Sequence, residues 1–110
     1  MAGHWYSKRR HKYNAKRVEL DGINFDSKME GRYYLKLKER VATGEVIVFL
    51  RQPKFHLPGG ASYSADFLEF HADGTVHFVD VKGRETTEFR KNKRMVENLY
   101  HPIEIETVQA

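Results

Sequence analysis

The segment between Ser62 and Lys82 constrains the fold most strongly, because its composition is that of two strands joined by a tight loop. The stretches 62–71 and 75–82 are rich in β-branched and aromatic residues, and Ala72-Asp73-Gly74 separates them. A hairpin has to place its apolar residues on common faces, and a three-residue loop closing at Gly74 achieves this. The resulting register pairs two sets of apolar residues, Leu68 with Phe78 and Phe70 with Val76.

The same register brings two acidic residues together. It sets Asp66 opposite Asp80 and Ser64 opposite Lys82, whereas a two-residue loop would set Asp66 opposite Val81 and mix polar and apolar side chains on both faces. Because side chains alternate along a strand, Asp80 and Lys82 point to one face. We therefore predict two carboxylates and one ammonium group on the same face of the hairpin.

Helical patterns lie on both sides of this hairpin. A first helix is predicted over Ser27–Ala42, where Ser27 and Glu30 have the capping-box spacing and apolar residues recur at helical steps. A second helix is predicted from Thr86 or Thr87 to about Tyr100. Its inward face is predicted to carry three apolar residues, Phe89, Val96 and Leu99.

Two further strand signals complete the order of elements. The run Val46–Leu50 predicts a buried strand that extends toward Leu57, with Pro53 at an edge or bulge. Ile103 and Ile105, with the nearby Val108, predict a last short strand. The order helix, three strands, helix, strand predicts an α/β or α+β fold, in which helices flank one mixed central sheet.

Composition limits the class of protein. The 110 residues fit one domain, and the absence of cysteine excludes disulfides, cysteine-based zinc sites and a cysteine nucleophile. The longest apolar run, Val46–Leu50, is far too short to cross a bilayer, so no membrane partner is expected. No apolar stretch follows the amino-terminal charges as in a secretory signal, and we expect a cytoplasmic location.

The net charge of +4 is unevenly distributed along the chain. Residues 1–20 contain six Lys and Arg residues and one Glu, and the rest of the chain is close to neutral. We therefore divide the chain into a basic arm over residues 1–19, with aromatic residues among the charges, and a folded domain over residues 20–110 that begins near the turn signal Asp21-Gly22. The arm is either a solvated tail or a segment that binds nucleic acid.

The facing pair Asp66 and Asp80 needs compensation. Two carboxylates about 4 Å apart repel each other by roughly 4 kcal/mol at an effective dielectric constant near 20. A shared proton, a lysine or a divalent cation can offset this repulsion, and Mg²⁺ is typically held by one or two carboxylates, water and substrate phosphate. Glu30 is a third acid, on or beside the apolar stripe of the first helix. It can complete the capping box or serve this site, and the two roles are not exclusive.

Structural roles are the alternative for each of these residues. Asp66 and Asp80 would then be polar residues near strand ends and Lys82 their salt-bridge partner, although aspartate is disfavoured within strands. The six histidines form no HxxxH or HxH pair, and His77 is expected to pair with Glu69 across the hairpin, so no zinc site is predicted. Ser64 has no evident histidine base and is not predicted to be a nucleophile.

Together these residues resemble the PD-(D/E)XK nuclease superfamily, and within it the small phage-encoded and archaeal Holliday junction resolvase-like enzymes. The matching segments are Ser27-Lys28-Met29-Glu30, Tyr63-Ser64-Ala65-Asp66-Phe67 and Val79-Asp80-Val81-Lys82-Gly83. Residues 50–55 also look like the first-strand region of small phage nucleases of this group, and the resemblance spans roughly residues 13–108. One departure is Ala65, which stands where the motif that names the superfamily has proline.

The resemblance implies a restriction-endonuclease-like core in the order α-β-β-β-α-β and a Mg²⁺-dependent endodeoxyribonuclease in which Mn²⁺ can substitute. Asp66 and Asp80 would bind the cation with help from the Val81 carbonyl. Glu30 would bind through water or position the nucleophile, and Lys82 would orient the attacking water and stabilise developing phosphorane charge. Gln52 would line the site.

The expected substrate is branched DNA, most specifically a four-way junction, whose two opposed nicks imply a homodimer of this small chain. The predicted contacts of the arm with DNA are Lys8, Arg9, Arg10, Lys12, Tyr13, Lys16 and Arg17. Three residues of the second helix could extend this surface, Arg90, Lys93 and Arg94. The alternatives are another branched- or flap-DNA nuclease of the same superfamily and a non-catalytic nucleic-acid-binding module.

Overall fold

The computed structural model describes residues 17–109, which form eight strands, two α-helices and one 3₁₀ turn. The strands are β1 (Val18–Leu20), β2 (Ile23–Phe25), β3 (Val46–Arg51), β4 (Lys54–His56), β5 (Ser62–Ser64), β6 (Phe67–His71), β7 (Val76–Val81) and β8 (Ile105–Val108). The helices are α1 (Lys28–Ala42) and α2 (Thr87–Leu99), and the 3₁₀ turn is Pro58–Gly60. Neither helix in this part of the chain is long and apolar enough to span a membrane.

A mixed four-stranded sheet is the centre of the fold, as predicted. Its strand order is β3-β6-β7-β8, in which β7 and β8 are parallel and the other two pairs are antiparallel. The order α1, β3, β6, β7, α2, β8 along the chain agrees with the predicted α+β class. Two short hairpins, β1-β2 and β4-β5, are additions that the predicted order did not contain.

The predicted register of the β6-β7 hairpin is confirmed. Leu68 pairs with Phe78 and Phe70 with Val76, and Gly74 adopts a φ of +90° in the loop. Glu69 and His77 are backbone partners as predicted, but their side chains are not paired with each other. His77 instead contacts the carboxylate of Glu106 on β8.

The predicted strands 62–71 and 46–57 are each interrupted, which corrects two sequence-based boundaries. Ser64 pairs with Lys54 in the β4-β5 hairpin and not with Lys82, because the chain leaves the central sheet at Ala65-Asp66. The break is held by backbone bonds from the Gln52 N–H to the Asp66 carbonyl and from the Ala65 N–H to the Pro53 carbonyl. Gln52 has a φ of +57°, which turns the chain out of β3 just before Pro53.

Strand β3 is an edge strand, and the prediction that it is buried throughout was wrong. Val46 is buried, but Ile47, Val48 and Leu50 are exposed, because neither apolar cluster of the described residues includes them. No strand pairs with the outer side of β3 within residues 17–109. Val46 and Val48 flank a shift of register of the kind that a β-bulge produces.

Both helices begin as predicted. The Ser27 hydroxyl accepts the Glu30 N–H at 3.1 Å, and the Thr86 hydroxyl accepts the Phe89 N–H at 3.0 Å. Phe89 and Val96 are buried, but Leu99, also predicted to point inward, is 53% exposed. The last helical turn therefore extends past the edge of the core.

Two apolar clusters pack the helices onto opposite faces of the sheet. Helix α1 and the β1-β2 hairpin cover the face that carries Phe67, Val79 and Val81. Helix α2 covers part of the other face, around Phe78 and Ile105. This sandwich encloses the carboxyl end of β7, where the predicted site lies.

The amino-terminal boundary differs from the predicted division at residue 20. Val18 and Glu19, assigned to the basic arm, form β1, which turns through Asp21 and Gly22 at φ values of +54° and +77°. A Cβ added at Gly31 of α1 would lie 2.7 Å from Val18, so glycine allows this helix to approach β1 closely. The predicted arm residues 1–16 lie outside the described part of the chain.

Candidate functional site

Asp66 and Asp80 lie side by side where the chain passes from the small hairpin into the central sheet. The Asp66 N–H donates to the Asp80 Oδ1 at 3.0 Å and also to the Val79 carbonyl. The Val81 N–H donates to the Asp66 Oδ2 at 2.8 Å. Each carboxylate is thus held through one oxygen by a backbone N–H of the facing segment, which fixes its position before any ligand binds.

The second oxygen of Asp80 is the least satisfied carboxylate atom in the described residues. Asp80 is 1% exposed, and its Oδ2 is buried without a hydrogen-bond partner. Burial raises the pKa of Asp80 to about 6, against opposing effects of Lys82 and the Asp66 amide. A buried carboxylate oxygen without a partner is costly, so a proton or a cation at Oδ2 would relieve it.

Asp66 is more accessible than Asp80. Burial raises its pKa, and the Val81 N–H and the Lys82 ammonium group act in the opposite direction. The charges of Lys82 and Arg51 lower the pKa of Asp66, and the nearby charge of Asp26 raises it.

Glu30 reaches the same region from helix α1. It is 7% exposed, and burial followed by the charge of Asp66 raises its pKa to about 7. Its backbone N–H donates to the Ser27 hydroxyl, which is one of the two hydrogen bonds of the predicted capping box. Its carboxylate lies 3.9 Å from the Arg51 guanidinium. Glu30 therefore serves both as a capped residue of α1 and as a near neighbour of the aspartate pair.

Lys82 lies one residue beyond β7, half-buried against helix α2. Its Nζ is 4.7 Å from the centre of the Phe89 ring, a cation–π distance. Its positive charge acts against the burial that raises the pKa of Asp66 and Asp80, as expected of an ammonium group in the neighbourhood of the pair. The structure thus brings Asp66, Asp80 and Lys82 together, as the hairpin register predicted.

Arg51 is a neighbour of the site that the sequence reasoning missed. Its guanidinium stacks 4.7 Å from the Phe25 ring centre, and its Nε is buried without a hydrogen-bond partner. The signal available in the sequence was its place at the end of β3, next to Gln52. Gln52 itself is exposed and joins the site through its backbone bond to Asp66.

A cation fits this arrangement as a two-carboxylate site. Among residues 17–109, no three His, Asp or Glu side chains converge closely enough to form a metal-binding group, so Glu30 is not placed as a direct third ligand. The unpartnered Asp80 Oδ2 and the adjacent Asp66 nevertheless supply hard oxygen donors of the kind Mg²⁺ takes together with water and phosphate. Val81 enters the site through its N–H, and a ligand role for its carbonyl stays a prediction.

Basic side chains border this site on the side of α2. A groove of about 320 Å³ is lined by Lys82, Arg84 and the end of β8. A second groove of about 360 Å³ lies along α2, and Glu85 and Thr107 line both grooves. The basic residues of the second groove are the three predicted on this helix, Arg90, Lys93 and Arg94. Lys93 is engaged by Glu97 at 2.9 Å, and Arg90 bonds the Glu85 carbonyl at 3.1 Å.

The predicted DNA contacts of the arm are largely beyond the described residues. Lys8, Arg9, Arg10, Lys12, Tyr13 and Lys16 lie outside them. Arg17 is described, and it is exposed, with its Nε 3.8 Å from the Asp26 carboxylate. These contacts stay predictions.

Comparison with known proteins gives a family. No curated protein matches the sequence. A family profile described as "Protein of unknown function (DUF1064)" matches residues 10–110, which include the basic residues from Arg10 onward and the whole of the described fold. Because this match covers most of the chain, the protein belongs to the DUF1064 family.

Proposed function

We propose that this protein is a Mg²⁺-dependent DNA endonuclease that nicks branched DNA, with four-way junctions as its preferred substrate. The observation that carries the proposal is the buried Asp80 Oδ2, which lacks a partner beside Asp66 and Lys82. Two preorganised carboxylates beside an ammonium group are suited to a cation and a phosphodiester. The carboxylates compensate the charge of the cation, and the ammonium group compensates the charge of the phosphodiester.

The residues of the chain have distinct roles in this proposal. Asp66 and Asp80 hold the cation, and their backbone hydrogen bonds keep both carboxylates in place without a reorganisation cost. A bound divalent cation supplies Lewis acidity and lowers the pKa of coordinated water. Lys82 places its charge beside the phosphate as negative charge develops there, and Glu30, whose pKa is about 7, orients the attacking water or accepts its proton.

The proposed DNA surface extends from the site in two directions. The grooves beside Lys82 and α2 present cations to the phosphate backbone, and the amino-terminal arm adds further Lys and Arg residues. A four-way junction has two-fold symmetry and needs two opposed nicks, so the active form is proposed to be a homodimer with one site in each chain. Such a substrate places the protein in the cytoplasm, that of the host cell if a phage encodes it.

A nicking assay on matched DNA substrates tests the proposal. A four-way junction, a fork and a linear duplex of the same sequence are incubated with the full chain in Mg²⁺, in Mn²⁺ and in EDTA. We expect nicking of the junction with either cation and none in EDTA. Nicking that persists in EDTA would refute the cation mechanism, and equal cutting of the linear duplex would refute selectivity for junctions.

Two variants separate the site from general effects on folding. Asp80→Asn is expected to abolish nicking while leaving DNA binding intact. Asp73→Asn is the matched control, because Asp73 is an exposed aspartate in the loop at the opposite end of the same hairpin. Binding of junction DNA by the wild-type chain without any cutting would favour a non-catalytic nucleic-acid-binding module.

A further inference from the structure

Five apolar side chains form a surface on the central sheet that no other element within residues 17–109 covers, and we call it the apolar face. They form two adjacent rows across β3, β6 and β7, and they belong to neither of the apolar clusters that pack the helices. The members of the apolar face are Val48, Leu50, Leu68, Phe70 and Val76. Val48, Leu50 and Val76 are 47%, 54% and 49% exposed.

Incomplete cover by α2 is the physical origin of this surface. Backbone partners point to the same face, so Val48, Phe70 and Val76 form one row, and Leu50 and Leu68 continue with Phe78 in the next. Phe78 is packed by α2 and β4, whereas the rest of these rows extends beyond the helix toward the β3 edge. An apolar face on an edge strand is an aggregation hazard unless another surface covers it.

The chemistry of the apolar face narrows what can cover it. It contains no cation, so the phosphate backbone of DNA has nothing to bind there. The chain before Arg17 contains five Lys and Arg residues among 16, and it joins β1, which packs with α1 against the opposite face of the sheet. Burying this segment on the apolar face would desolvate its charges.

We propose that a second copy of this chain covers the apolar face and that the two faces pack about a two-fold axis. An uncharged face meets its own copy without charge repulsion, although each chain carries a net charge of +4. The next position along β6 and β7 beyond the Leu68 and Phe78 row is the pair Asp66 and Asp80, so the interface adjoins both candidate sites. The use of this dimer for paired nicking rests on the proposed function, but the interface itself does not.

Sedimentation of the full chain without DNA or cation tests the interface. The wild-type chain is expected at twice its mass of 12.9 kDa. Leu50→Lys is expected to weaken the dimer by about 100-fold or more, because each copy would bury a charge without a partner in an apolar interface. The control is Leu99→Lys, because Leu99 is equally exposed but lies on α2 outside the apolar face, and it is expected to remain dimeric.

A second measurement covers the case in which Leu50→Lys unfolds. The natural chain has no cysteine, so Leu50→Cys and Leu99→Cys each introduce a single thiol. Both positions are about half exposed in the single chain, so the thiol of Leu50→Cys is expected to react with an alkylating reagent much more slowly than that of Leu99→Cys, because the interface covers it. A monomeric wild-type chain, or equal rates for the two variants, would overturn the interface. A dimeric wild-type chain that does not nick junctions, or dimeric Asp80→Asn that still nicks them, would bear only on the proposed function, so the two failures are distinguishable.

Discussion

Replacement of Asp80 by asparagine should change the stability of the cation-free protein in a manner that depends on pH. The carboxyl of Asp80 has its pKa raised from 3.8 to about 6, so the folded protein holds a proton that the unfolded chain releases. The contribution of this group to stability is therefore fully present below about pH 4 and is lost as pH rises toward 6. The whole difference in pKa corresponds to about 3 kcal/mol.

Asparagine removes this dependence while preserving the local geometry. Its Oδ1 can still accept the Asp66 N–H, and its Nδ2 introduces a buried donor without a partner, which costs about 1–3 kcal/mol at every pH. The free energy of unfolding of Asp80→Asn, measured relative to that of the wild type, should therefore rise by about 2 kcal/mol between pH values near 4 and near 8. The absolute difference at one pH is less informative than this change.

Urea denaturation followed by circular dichroism in EDTA measures this change. The two proteins are compared near pH 4 and near pH 8. Asp73→Asn is a control of opposite sign: hydrogen bonds from Thr75 lower the pKa of Asp73, so this variant is expected to lose stability relative to the wild type as pH rises. Addition of Mg²⁺ near pH 8 should stabilise the wild type and leave Asp80→Asn unchanged, because binding to the folded state adds to stability. A free-energy difference that is the same at both pH values would refute the reasoning, since Asp80 would then ionise as readily in the folded protein as in the unfolded chain.

Three further predictions concern other charged groups. Glu30→Gln, assayed in the same way, should gain roughly 2 kcal/mol as pH rises through the interval from 4.5 to about 7, and a constant difference would contradict the raised pKa of Glu30. Glu69→Ala should lower the free energy of unfolding by about 3 kcal/mol or more, because buried Glu69 accepts the Tyr33 hydroxyl at 2.6 Å and lies 3.6 Å from the Arg40 guanidinium. Thermal or urea denaturation measures this loss, with Glu106→Ala at an exposed position as the control. Equal losses in the two variants would contradict this account. If the arm engages about five phosphates, the slope of log K against log salt for junction binding should be near −4.5, and removal of residues 1–16 should bring it much closer to zero; an unchanged slope would exclude the arm from binding.

The parts of this fold that follow local rules could be predicted from the sequence. The β6-β7 register follows from alternating apolar residues and a loop that closes at Gly74. The helix starts follow from hydroxyl side chains placed three residues before a free N–H. The meeting of Asp66 with Asp80 is a consequence of that register, so this part of the candidate site was also predictable.

The remaining features depend on contacts between distant segments. The break at Asp66 requires its carbonyl to accept the Gln52 N–H, and neither residue signals this bond in its own segment. The two three-residue strands β1 and β2 are too short to give a clear periodic pattern, although Asp21-Gly22 marked their turn. The contact of Arg51 with Glu30 joins β3 to α1, and no pattern within either element specifies it.

Exposure was the least predictable property. An apolar run such as Val46–Leu50 has the same composition whether a sheet buries it on two faces or leaves it at an edge. Leu99 likewise continues the helical stripe of α2 but extends past the sheet that would cover it. Burial at such positions is decided by the extent of the neighbouring elements, which the local sequence does not encode.

The most direct test of the central claim is single-turnover nicking of a four-way junction by the wild-type chain, Asp80→Asn and Asp73→Asn at equal, saturating protein concentration in Mg²⁺. If Asp66 and Asp80 hold the cation that drives cleavage, Asp80→Asn should cut at least about 1,000-fold more slowly than the wild type, because it loses several kcal/mol of transition-state stabilisation, while Asp73→Asn should cut at the wild-type rate. Cleavage by Asp80→Asn at a rate close to that of the wild type would contradict the account.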